Sequence, residues 1–158
     1  MAVDYYLKLD GIKGESQATG HVGEIQLLSF SWGGSQTSSV AGTGGSGAGK
    51  VNLQHLNVMK NLDSGTVPMF KAITLGSHIA TGTLTAIKAG AGGKPFLQVD
   101  LTELFVSSID FSASSEIPTE TVSFSYNQIA ISYFSQDEKG TMSLSSKTTY
   151  NLKTNTTS

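Results

Sequence analysis

Alternation of apolar and polar side chains at every second position is the feature that most constrains this chain. Val3, Tyr5, Leu7 and Leu9 share one parity and Asp4, Tyr6, Lys8 and Asp10 the other, before a turn signal at Asp10-Gly11. The same pattern returns at Val99 and Leu101, at Ile109, Phe111 and Ala113, and from Met142 and Leu144 to Tyr150 and Leu152. A side-chain period of two is that of a half-buried antiparallel strand. It predicts strands near 2–10, 23–34, 51–60, 79–89, 95–106, 108–116, 119–135 and 140–152. One helix is expected at 66–76, with Thr66 as cap, Pro68 in the first turn and Gly76 at the end. Val67, Phe70, Ile73 and Thr74 would form its buried stripe. Eight strands in one domain of 158 residues make a barrel or a sandwich. The expectation is therefore an all-β fold with one short α-helix, a single domain over 1–158 with a flexible tail at 153–158.

Three segments change parity partway. Ile25 and Leu27 give way to Leu28, Phe30 and Trp32; Val51 and Leu53 to Leu56 and Val58; Val122, Phe124 and Tyr126 to Ile129, Ile131 and Tyr133. A switch within a strand means a bulge, or burial of both faces in different places. The second option describes a chain whose outer surface also packs against a copy of itself. A long Gly-rich loop over 36–50 interrupts the pattern, and loops of that length are usually functional or disordered.

Composition excludes several classes of function. Charged residues are 14% of the chain, the net charge is −2, and 22 Ser and 17 Thr make up about a quarter of it. All ten basic residues are Lys. The absence of Arg and of a basic face argues against nucleic-acid binding. There is no Cys, hence no disulfide, thiolate metal site or cysteine nucleophile. No apolar run approaches the ~20 residues of a membrane helix, and the opening Met1-Ala2-Val3-Asp4-Tyr5-Tyr6 does not read as a secretory leader. The chain is expected in the cytoplasm, with no membrane insertion.

No catalytic, cofactor or metal site emerges. Gly44-Gly45-Ser46-Gly47-Ala48-Gly49-Lys50 matches part of a phosphate-binding loop, but Val51 stands where Ser or Thr would hold magnesium and opens a strand rather than a helix. His21, His55 and His78 lie in separate segments without metal-ligand spacing. The acidic pairs Glu116 with Glu120 and Asp137 with Glu138 fall in apparent turns, where solvated charge is the default. Trp32 is the sole tryptophan, and its parity with Phe30 and Leu28 makes Phe30 and Trp32 core or interface residues rather than a sugar platform. Ser29 and Ser31 must then face the other way.

Met1-Ala2-Val3-Asp4, Lys13-Gly14-Glu15-Ser16, Leu28-Ser29-Phe30-Ser31-Trp32-Gly33 and Gly47-Ala48-Gly49-Lys50-Val51 together resemble the haemolysin-coregulated protein (Hcp) family of type VI secretion systems. The resemblance continues through Lys88-Ala89-Gly90 and Val106-Ser107-Ser108 to the last strands. It implies an antiparallel β-barrel subunit, similar to phage tail-tube proteins, that closes into a hexameric ring. Rings stack into a tube within a contractile sheath, tipped by a spike protein, and carry small effector proteins in the lumen. The protein would then leave the cell by that route without a signal peptide. The family places the Ser31-type position toward the lumen, with Ser29 beside it. The Gly-rich loop, with Val40, Gly42, Gly44, Gly45, Gly47 and Gly49, is expected at a ring face contacting the next ring. The competing expectation is a monomeric β-sandwich adhesin or carbohydrate-binding module.

Overall fold

The computed structural model describes residues 2–37, 50–89, 92–114 and 116–158. Twelve strands and one helix occur among them: β1 (Val3–Leu9), β2 (Ile25–Leu27), β3 (Ser29–Ser31), β4 (Gly34–Gln36), β5 (Val51–Leu53), β6 (Leu56–Asn61), α1 (Thr66–Leu75), β7 (His78–Lys88), β8 (Leu97–Ser112), β9 (Thr119–Ser125), β10 (Gln128–Gln136), β11 (Met142–Asn151) and β12 (Thr156–Thr157). All strand pairings given by their register are antiparallel. The main sheet runs β12-β11-β10-β8-β7-β1-β2, with β9 also on β8, β6 on β9 and β3 on β6. Hairpin β4–β5 stands as a separate two-stranded sheet.

The parity switches turn out to mark places where the chain changes partners. At Leu28 it leaves β1 and joins β6, with the Leu28 N–H donating to the Met59 carbonyl at 2.7 Å. The switch near 54 separates β5 from β6, and the one near 127 separates β9 from β10. The segments 95–106 and 108–116, expected as two strands, are instead the single sixteen-residue strand β8. Its first half pairs with β7 and β10 and its second half with β9. The change of partner falls between Glu103, which holds a left-handed φ of 53°, and a bulge at Val106/Ser108. The tail beyond Leu152 is tied back where β12 pairs Tyr150 with Thr157.

Helix α1 corrects the expected stripe. Thr66, Met69 and Ala72 are buried, whereas Val67 is 72% and Phe70 55% exposed. Thr66 does not cap; Gly65 occupies that position, and the Thr66 hydroxyl reaches instead into a buried polar cluster. Met69 and Ala72 carry the apolar side of the helix, and of the expected stripe Ile73 packs partly buried against the core. Gly76 ends the helix in the left-handed region as expected, its N–H donating to the Ala72 carbonyl. The core lies between the helix and the inner faces of the strands, with Leu7, Leu56, Met69, Leu84, Leu101, Leu104 and Phe124 buried.

Candidate functional site

Strands β3, β6, β9 and the second half of β8 form one four-stranded unit whose two faces differ in chemistry. Residues directly opposite in an antiparallel ladder share a face. One face carries the rows Ser31–Asn57–Ser123–Ser108, Ser29–Met59–Thr121–Asp110 and Asn61–Thr119–Ser112. Hydroxyl and amide groups dominate it, with one carboxylate, Asp110, and one large apolar side chain, Met59. Ser29 and Ser31 are both exposed there, as their parity required. The other face carries Phe30–Val58–Val122–Ile109 and Leu56–Phe124–Val106, which belong to the core.

Phe30 and Trp32 are partly buried against that core. Phe30 meets Tyr5 edge to face at 5.3 Å between centroids. The Trp32 Nε1–H donates to the Tyr126 hydroxyl at 2.6 Å, and that hydroxyl donates to the Gln54 carbonyl at 2.8 Å. This relay fastens the base of the segment leading into hairpin β4–β5. Burial pushes the Tyr126 hydroxyl above its ordinary pKa, against the lowering influence of the Trp32 hydrogen bond. Val40, Gly42, Gly44, Gly45, Gly47 and Gly49 lie outside the described residues.

On the inner face, in line with the apolar rows, Lys60 stands directly opposite Glu120, with Phe111 next across. Lys60 and Glu120 are 0% and 1% exposed. The Lys60 ammonium donates to Glu120 Oε1, lies 2.9 Å from Asp63 Oδ1 and 3.3 Å from the Thr66 hydroxyl. Thr66 in turn donates to Glu120 Oε1 at 2.8 Å. The expectation that Glu120 is a solvated turn residue is thus overturned: it sits inside β9 and joins two strands to the start of α1. Burial is tolerable there because three partners surround the ammonium.

The described residues hold no group of three or more His, Cys, Asp or Glu arranged for a metal. His21 stacks on Tyr6 at 4.7 Å, with Nδ1 3.0 Å from Glu24 Oε1 and Nε2 2.8 Å from the Gly93 carbonyl. It fixes the 13–24 segment over β1. His55 Nδ1 lies 3.0 Å from the Ser107 hydroxyl, but that hydroxyl donates its proton to the Ser123 carbonyl. The Ser123 carbonyl thus competes with His55 for that single hydroxyl proton. What the polar face offers is an extended surface of mostly short, uncharged side chains, interrupted by Met59 and the Asp110 carboxylate. No helix is long and apolar enough to cross a membrane among the described residues.

Comparison with known proteins agrees with this geometry. The model of the family described as type VI secretion system effector, Hcp, matches residues 6–133. Protein hcp1 of Pseudomonas aeruginosa is 38% identical over 143 residues, 89% of this chain and 88% of its own length. A solved structure described as a type six secretion system protein is 29% identical and superposes with a TM-score of 0.92, covering 99% of this chain and 100% of its own. Hcp1 from Salmonella typhimurium, also 29% identical, gives 0.81 over 99% of both chains. The anti-feeding prophage tube-terminating cap shares the fold at 0.57 and 13% identity, over 82% of this chain and 87% of its own. The chain belongs to the Hcp family of type VI secretion system effectors.

Proposed function

We propose that this protein is the tube subunit of a type VI secretion system. Six copies close into a ring with the hydroxyl face of β3, β6, β9 and β8 turned inward, and rings stack into a tube. The observation that carries this reading is the pairing of that neutral face with two free strand edges. Among the described residues, β3 pairs only with β6, and β8 beyond Phe105 pairs only with β9. Unpaired edges are a liability unless something covers them. A head-to-tail contact between one edge and the other covers both and repeats until the ring closes.

Within each subunit the pairings β1–β2, β3–β6, β6–β9, β9–β8, β8–β7 and β7–β1 trace a circuit open only at Leu28. This supports a barrel. Ser29 and Ser31 then face the lumen and touch passing effector proteins, and the segment from Val40 to Gly49 meets the next ring. The sheath surrounds the tube, a spike protein tips it, and the subunit is cytoplasmic until it is fired out. Its role is structural, without catalysis or cofactor.

Gel filtration with light scattering should give a particle several times the 16.5 kDa subunit, and electron microscopy should show hollow rings. A monomer at high concentration that binds glycans and loses binding on Trp32→Ala would replace this reading with the adhesin.

A further inference from the structure

The Lys13-Gly14-Glu15-Ser16 motif is explained by the fold at two of its positions. A Cβ on Gly14 would stand 2.5 Å from the Glu24 carbonyl oxygen, so the backbones approach too closely for any side chain. Ser16 is buried and its hydroxyl accepts from the Ala18 N–H. Glu15, between them, is exposed and has no hydrogen bond or ion pair among the described residues. Glu15 lines a cleft of about 370 Å³ with Leu28, Asn61, Leu62, Asp63 and Ile117. Leu28, Leu62 and Ile117 are all exposed there. Two acids and no base line this cleft, and Asp63 is already bound to Lys60.

Strand direction places the cleft at one end of the polar face. Asn61, Thr119 and Ser112 share a row, and Leu62 and Ile117 lie just beyond it. The opposite end, at Ser31 and Asn57, leads through Trp32 and Gln54 into hairpin β4–β5. A second cleft there is lined by Gln36, Lys50, Val51, Tyr150, Asn155 and Thr157, with one base and no acid. The two ends are therefore complementary, acidic and apolar against basic with Val51 and Tyr150.

From this we infer that the Glu15–Leu28–Leu62–Ile117 cleft is the stacking socket of the ring, occupied by the Lys50–Val51 end of a second copy. The inference rests on the tube reading above. Like-directed stacking is the arrangement that brings these unlike ends together in every successive ring.

The test compares purified wild-type protein with Glu15→Lys, Lys50→Glu and the double exchange, each at matched concentration. Light scattering reads the ring, and sedimentation with electron microscopy reads the stacked fraction. Each single exchange should leave rings intact and cut stacking at least about tenfold at low salt, because the effect is repeated around the ring. The double exchange should restore it, Ile117→Asp should cut it without rescue, and added salt should weaken the wild-type stack. Stacking unchanged by both single exchanges, or not restored by the double, overturns the inference. So do wild-type rings that never stack, or a single exchange that abolishes the ring itself. A wild type that stays monomeric overturns the tube reading instead, and the socket falls with it.

Discussion

The two faces of the β3–β6–β9–β8 unit use the same strands and the same hydrogen-bond ladder, yet they answer to different constraints. On the exposed face Ser29 and Ser31 are open to water, which offers each hydroxyl an alternative partner. On the inner face Lys60 and Glu120 have no such alternative, and the polar contacts they make are with each other, Asp63 and Thr66. One face is free to be tuned for what passes over it. The other fixes where β6, β9 and α1 meet.

The largest effect should come from splitting the buried pair. Lys60→Met alone leaves Glu120 buried without its cation and should cost about 3–5 kcal/mol, read as a large fall in Tm at fixed protein concentration. Lys60→Met with Glu120→Leu should recover most of that loss, since well-packed apolar residues often replace a buried ion pair at little cost. A double variant no more stable than the single would mean that the site needs polarity to position α1, and would sharpen the contrast with the outer face.

On that outer face, Ser31→Leu should change stability by no more than about 0.5 kcal/mol, the usual range for exposed sites. It should leave the ring intact and alter which effector proteins are co-secreted. A fall in Tm comparable to that of Lys60→Met would erase the distinction between the faces.

The sequence made the outer face readable because parity alone places Ser29 and Ser31 opposite Phe30 and Trp32. By the same rule Lys60 is in phase with Leu56 and Val58, and Glu120 with Val122 and Phe124. The alternation thus already marked both as inward, but the general habit of charges to stay solvated pointed the other way, and the pairing across 60 residues was invisible without the fold. The helix phase was lost for a related reason. Val67 and Phe70 look like core by hydrophobicity, but the buried side carries Met69 and Ala72 together with Thr66, whose hydroxyl bonds Glu120. Strand boundaries failed where the chain changes neighbours without any turn residue, as at Leu28 and along β8.

The smallest effect contrasts the buried pair with an exposed one. Glu103, at the bend of β8, accepts from Lys153 at 2.7 Å and from Asn127. The hydrogen bond from Lys153, then that from Asn127, hold its carboxyl below the usual 4.5. A lowered acid pKa contributes stability that is present at neutral pH and is lost as pH falls through the native value. Wild type should therefore lose a little more stability than Lys153→Ala between neutral pH and strongly acidic pH, and the two curves should converge at the acid end. Salt should shrink the difference, because both side chains are open to water. Glu103→Gly should separate the two roles of this residue. It also removes the ion pair, but it relieves the left-handed backbone at φ 53°, which costs a non-glycine residue about 1 kcal/mol. If Glu103→Gly matches or exceeds wild type at neutral pH while Lys153→Ala falls slightly below it, the bend in β8 is limited by backbone conformation and the surface pair is secondary. The opposite order would make this exposed pair a true counterpart of Lys60 and Glu120.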